Sequence, residues 1–145
     1  MPERSTLKHQ VCFSLYAASR AATAVYRPML ESMGLTYPQY LVMLLLWERD
    51  GASVRELGEE LDLDSGTLSP LLKRMEASGF VERRRQPDDE RKVVVHLTPR
   101  GAGLREQAAA VPARIAAAAG LSPDELEQLN LTLAKVTGAL HTNAQ

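Results

Sequence analysis

Residues 53–79 read SVRELGEELDLDSGTLSPLLKRMEASG, and residues 80–97 continue FVERRRQPDDERKVVVHL. The first stretch holds two helix starts. Ser53 and Glu56 have the spacing of a capping box, in which each side chain accepts a hydrogen bond from the other residue's backbone N–H, and Val54, Leu57 and Leu61 then share one face. Asp64-Ser65-Gly66-Thr67 restarts the chain into a second helix with Leu68, Leu71, Leu72 and Met75 inward, ended by Gly79. In the second stretch, Phe80 to Arg85 and Lys92 to Leu97 are strand-like runs around a polar tip, Gln86 to Arg91. Helix, tight turn, helix and two-stranded hairpin in this order make a winged helix-turn-helix, a motif whose second helix enters the major groove of DNA.

Upstream, Leu7, Val11, Leu15, Ala18, Ala22 and Val25 recur at helical spacing, so a long first helix is expected, kinked or ended by Pro28 and closed by Gly34. Thr36 to Gln39 is another capping box, with Pro38 in the first turn where its missing N–H costs nothing. The helix it opens is almost wholly apolar and therefore central. Downstream, Thr98-Pro99 starts an Ala-rich helix that Pro112 should bend and Gly120 terminate. Ser122-Pro123-Asp124-Glu125 opens the last helix, where Leu126, Leu129, Leu133, Val136 and Leu140 form a seam.

The chain has 145 residues, of which 45% are hydrophobic and 24% charged, values of a single globular domain, and the elements read above make it mainly α. The expected division is 36–101 for the winged helix-turn-helix, with 1–35 and 102–145 supplying dimerisation helices. The longest apolar run, Tyr40 to Trp47, is too short to span a bilayer, and Glu3, Arg4, Lys8 and His9 stand where a signal peptide needs an apolar core. A cytoplasmic protein without membrane attachment is expected. With one cysteine and with His9, His96 and His141 scattered, neither a disulfide framework nor a metal site is expected, and no cofactor motif is present.

A net charge of −1 gives no global sign of nucleic-acid binding, so that reading rests on local distribution. Ser65, Thr67, Ser69 and the Pro70 ring lie near the start of the second helix, where hydroxyls and apolar surface could meet base edges, while Lys73 and Arg74 could reach phosphate. Arg83 belongs to the basic run of the hairpin. At its tip Arg91 follows Asp88, Asp89 and Glu90, and one carboxylate could hold its guanidinium extended toward a narrow minor groove. One such module is too small to be specific alone, whereas a two-fold dimer reads two half-sites of a palindromic operator.

The single cysteine, Cys12, heads a polar line on the first helix: Tyr16, Ser19, Thr23 and Tyr26. Tyr26 is about 21 Å along the axis from Cys12, so the two cannot touch in one chain. Two copies crossing antiparallel near Ser19 would cancel that separation and put Tyr26 of one protomer opposite Cys12 of the other. The two cysteines would then lie too far apart for a disulfide. Phenol hydroxyls bonded to the sulfur favour the thiolate, the form that attacks a peroxide oxygen to give a sulfenic acid.

The run from Val11-Cys12-Phe13 through Tyr26-Arg27-Pro28, Thr36-Tyr37-Pro38-Gln39-Tyr40, Leu44 to Glu48, Leu63 to Leu68 and Asp88-Asp89-Glu90-Arg91 resembles the organic hydroperoxide resistance regulators of the MarR family, across nearly the whole chain. The resemblance implies a homodimeric repressor in which Cys12 is the reactive thiol, Tyr26 and Tyr37 of the opposite subunit bond to it, Tyr16 is a neighbour and Arg91 is the wing arginine. It also implies release from double-stranded operator DNA when an organic hydroperoxide oxidises Cys12. Without a second cysteine the chain matches the single-cysteine type, in which a small cellular thiol caps the sulfenic acid, or overoxidation to sulfinic or sulfonic acid locks the protein off. Two rivals remain: a MarR-type regulator gated by a noncovalent aromatic ligand with Cys12 inert, and a thiol peroxidase, which the missing resolving cysteine and the DNA-reading wing disfavour. No nucleophile elbow, phosphate loop or carboxylate pair points to another enzyme.

Overall fold

The computed structural model describes residues 6–144, the Glu90 side chain excepted. After a 3-10 turn at Leu7–His9 come α1 (Val11–Glu31), α2 (Tyr37–Glu48), β1 (Ala52–Ser53), α3 (Val54–Leu61), α4 (Ser65–Ala77), β2 (Val81–Gln86), β3 (Asp89–Leu97) and α5 (Pro99–Ala108). These lie in one compact unit, residues 1–109; a second, 110–145, holds α6 (Val111–Ala118) and α7 (Pro123–Asn143). The architecture is mainly α with a winged helix-turn-helix at its centre.

Local chemistry fixes most helix starts. The capping boxes at Thr36/Gln39, Ser53/Glu56 and Ser122/Glu125 form in both directions, and Thr98 caps α5 by accepting from the Gly101 N–H. The core of the first unit is α2, with Tyr40, Val42, Met43, Leu46 and Trp47 buried, packed with Leu57 of α3, the inner face of α4, and Phe80, Val81, Val94 and Val95 of the hairpin. The turn from α3 to α4 folds closely back on α3 because Gly58 has no side chain; a Cβ there would lie 2.9 Å from the Leu63 carbonyl oxygen. The intervening turn is made by Asp62 in the left-handed region (φ 58), a conformation aspartate tolerates better than most residues.

Four expectations are corrected. The hairpin turn is only Pro87-Asp88: β2 pairs with β3 from Val81↔Leu97 to Gln86↔Asp89, with an irregularity between Arg85 and Gln86, so Arg91 lies within a strand and not at the tip. The wing also carries a third strand, since Ala52 and Ser53 pair with Val95 and Val94. α1 starts at Val11 and runs through Pro28, which removes one intrahelical bond without ending the helix, and Leu7 and Val11 are exposed. Pro112 does not bend one helix but splits it: α5 stops at Ala108, and Pro112 sits in the first turn of α6, where its missing N–H needs no acceptor.

In the second unit α7 buries none of its side chains. Leu126, Leu133 and Val136 of its seam are half-buried and Leu129 and Leu140 exposed. Among the described residues no helix is long and apolar enough to cross a membrane, and no group of His, Cys, Asp and Glu is placed to hold a metal ion.

Candidate functional site

The start of α4 is closed by Asp64, whose Oδ1 accepts the Thr67 N–H at 2.8 Å. Ser65 and Thr67 are therefore not the cap; both are exposed, with Ser69, Pro70, Lys73 and Arg74, while Leu68, Leu71, Leu72 and Met75 face the core. α4 continues through Pro70 to Ala77, and its positive dipole end lies at the hydroxyl-bearing turn, which favours nearby anionic groups such as phosphates.

Beside α4 the wing forms one wall of an open groove of about 1240 Å³ whose other walls are α3 and the α3–α4 turn. Of the residues expected to meet DNA, the groove gathers Ser65, Ser69, Arg83 and Arg91. It adds Arg55 and Lys92, which the sequence reading did not select as site residues. Lys92 was visible as part of the basic run, whereas Arg55 joins the groove only because α3 lies along it. Carboxylates, among them Glu59 and Asp62, line the same groove, so its charge is mixed.

Two wing arginines have surroundings that sequence did not reveal. Glu76, in the last turn of α4, accepts from Arg83 twice, Nε at 3.0 Å and the backbone N–H at 3.2 Å. The Arg83 backbone bond, helped by its guanidinium, holds the Glu76 carboxyl below the usual range although partial burial opposes it. Arg83 thus ties the wing to α4. Of the acids that precede Arg91, Asp89 accepts the Arg91 backbone N–H on its Oδ1 at 3.1 Å, and Arg91 itself is exposed on β3.

Cys12 is exposed on α1, one turn from exposed Tyr16, over whose ring the Arg20 guanidinium lies at 5.6 Å. At the far end of the same helix, half-buried Tyr26 meets Tyr37, the first residue of α2, with ring centroids 4.7 Å apart. Burial, reinforced by Tyr37 and Tyr40, pushes the Tyr26 hydroxyl up to about 12, so it remains a proton donor at any physiological pH. The structure therefore brings Tyr26 and Tyr37 together within one protomer and leaves Cys12 about 21 Å and Tyr16 about 15 Å away along α1.

This geometry has close counterparts. Residues 35–93 match the MarR family model. The organic hydroperoxide resistance transcriptional regulator of Bacillus subtilis (strain 168) is 47% identical over 93% of this chain and 92% of its own length. The chain belongs to the MarR family. Among MarR-like structures, AbfR bound to DNA in its reduced and overoxidised forms is 40% identical over 92% of this chain and 93–94% of its own, with a TM-score of 0.77. PcaV from Streptomyces coelicolor, in complex with its natural ligand, covers 96% of this chain and 99% of its own at a TM-score of 0.85, and at 23% identity shows the MarR fold alone. The Bacillus subtilis relative and PcaV are transcriptional regulators.

Proposed function

We propose that this chain is a homodimeric, redox-sensing transcriptional repressor of the cytoplasm that holds a palindromic operator while Cys12 is reduced and leaves it after an organic hydroperoxide oxidises Cys12. One observation carries the reading. The Tyr26–Tyr37 pair is already assembled at one end of the polar stripe whose other end is the exposed thiol. An antiparallel crossing of two α1 helices near Ser19 sets the pair of each protomer against the sulfur of its mate. Val11, Tyr16 and Val25 on α1 and Leu129, Leu131 and Leu140 on α7 expose the apolar surface that such pairing needs.

The chemistry follows from that juxtaposition. The two phenols donate hydrogen bonds to the thiolate, which attacks the terminal oxygen of the hydroperoxide. The S–O bond forms as the O–O bond breaks, sulfur loses two electrons to the peroxide, and the departing alkoxide takes a proton to become an alcohol. The product sulfenic acid then meets a small cellular thiol, forming a mixed disulfide and water. The larger group no longer fits between the phenols, and the two winged helix-turn-helix modules lose the spacing that matches two half-sites. That AbfR is found on DNA in an overoxidised form supports the capped product as the one that clears the operator. The protein acts stoichiometrically, as a sensor. On the DNA, Ser65, Thr67, Ser69 and Pro70 meet base edges, Lys73, Arg74, Arg55 and Lys92 meet phosphates, Arg83 braces the wing and Arg91 enters the minor groove.

A noncovalent ligand switch with Cys12 inert is distinguished by thiol labelling at neutral pH, to which an inert cysteine responds slowly. The decisive experiment is an electrophoretic shift on the protein's own upstream DNA, with and without an organic hydroperoxide and a small thiol, alongside mass spectrometry of Cys12. Cys12→Ser is expected to bind the operator and to ignore the oxidant; release of that variant at the parent's peroxide concentration would reject the proposal.

A further inference from the structure

Aromatic side chains run in contact from the sensing end of α1 into the core. Tyr26 lies 5.8 Å from Tyr40 as well as 4.7 Å from Tyr37, and Tyr40 meets the edge of Trp47 at 6.4 Å, all within the range of interacting rings. The row does not stop at Trp47. Its indole Nε1–H donates to the Gly101 carbonyl at 3.0 Å, a buried bond between residues 54 apart in sequence. One turn further along α5, Arg105 donates to the Trp47 carbonyl at 2.8 Å, so α2 and α5 are clasped from both sides.

Gly101 in turn rests on the chain just before β2. A Cβ on Gly101 would overlap the Phe80 carbonyl oxygen, and Thr98, the cap of α5, donates its N–H to the same oxygen at 3.1 Å and its hydroxyl to the Gly79 carbonyl at 2.6 Å. Phe80 leads directly into the wing. From Tyr26 to the root of the hairpin there is thus an unbroken series of contacts inside the first unit.

We propose that Trp47 is a positioning residue for operator release: its indole bond to Gly101 carries a displacement of Tyr26 and Tyr37 into the root of the wing. The proposal rests on the redox reading above. Close-packed rings transmit a shift because they have few ways to absorb it. The buried indole N–H has no water to turn to, so moving Trp47 drags Gly101 along more readily than it breaks their bond. Gly101 has no free space on its Phe80 side, and the motion arrives at β2. This makes Trp47 an element whose position both the thiol site and the wing bias, which is what energetic coupling between two sites requires.

The test is Trp47→Phe in the full-length dimer, which keeps a ring in the core and removes the donor. Three quantities are read: operator affinity of the reduced protein, the amount of sulfenic acid formed on Cys12, and operator affinity after oxidation and capping with a small thiol. The expected result is reduced-form affinity within about threefold of the parent and unchanged Cys12 oxidation, with the oxidation-induced loss of affinity about tenfold smaller than in the parent. If Trp47→Phe does not fold, Arg105→Gln, which opens the other half of the clasp, is read in the same way and should also shrink the ratio. A ratio equal to the parent's, including one in which both affinities fall together, would overturn the inference and leave the redox reading standing. A parent protein that stays on DNA after Cys12 is oxidised and capped would overturn the redox reading itself.

Discussion

Two glycines in one helix should respond to the same substitution with opposite sign. Gly101 lies in the first turn of α5 and Gly103 in its body, and alanine is favoured over glycine within a helix by up to about 1 kcal/mol. Around Gly103 nothing approaches within 4 Å of an added Cβ, so Gly103→Ala should keep that gain and raise the melting temperature by about 2–4 °C. At Gly101 the added methyl would overlap the Phe80 carbonyl oxygen and stand 3.0 Å from its carbonyl carbon and 3.3 Å from Met43 Cε. The Met43 side chain can yield, but a backbone carbonyl that already accepts from Thr98 cannot. The overpacking cost belongs at the upper end of the usual range, about 3 kcal/mol, and after the helix gain about 2 kcal/mol of destabilisation remains, or about 4–8 °C. Thermal melts of parent and both variants, at one protein concentration because the midpoint of a dimer depends on it, measure the difference directly. A Gly101→Ala protein melting at or above the parent would refute the seating of α5 on the root of the wing.

Further tests address the wing and the phenols. Arg91→Ala should weaken operator binding and lower the slope of log affinity against log salt by about 0.9, one phosphate-equivalent charge, whereas Arg83→Ala, whose guanidinium is engaged by Glu76, should change the slope less; equal slopes would contradict the assignment. Tyr26, raised to about 12 in the fold from about 10 in an unfolded chain, is favoured as the neutral phenol, so its contribution to stability is whole below about pH 10 and is lost as the pH climbs toward 12. Tyr26→Phe removes that titration, and melting temperature should fall less steeply across this window than in the parent; an identical decline would count against the burial of Tyr26.

What sequence could show divides by the range of the interactions involved. Caps at Thr36, Ser53, Asp64, Thr98 and Ser122 depend on atoms three residues apart, and each was legible. So was the inner face of α4, because Leu68, Leu71, Leu72 and Met75 keep helical spacing. The wing was recognisable as a hairpin but not in its limits: from Arg83 to Lys92 the residues are polar apart from Pro87, so no apolar alternation marks where pairing ends. β1 is two residues long and exists only through its pairing with Val94 and Val95. The Glu76–Arg83 tie and the Trp47–Gly101 bond join residues 7 and 54 apart, and nothing in local composition announces either. Cys12 and Tyr26 were legible as members of one helical stripe, whereas Tyr37 joins Tyr26 only because the start of α2 lies against α1.

The closure of α4 by Asp64 has a consequence for how this protein can diversify. Holding the helix and presenting chemistry to a duplex are divided between different side chains: one carboxylate secures the first turn, and the hydroxyls at 65, 67 and 69 carry no part of that duty. With the DNA contacts proposed above, exchanges at those three positions alter the vocabulary offered to base edges while the scaffold beneath stays put. A descendant of this sequence can therefore drift to a new operator one residue at a time without first surviving a loss of stability.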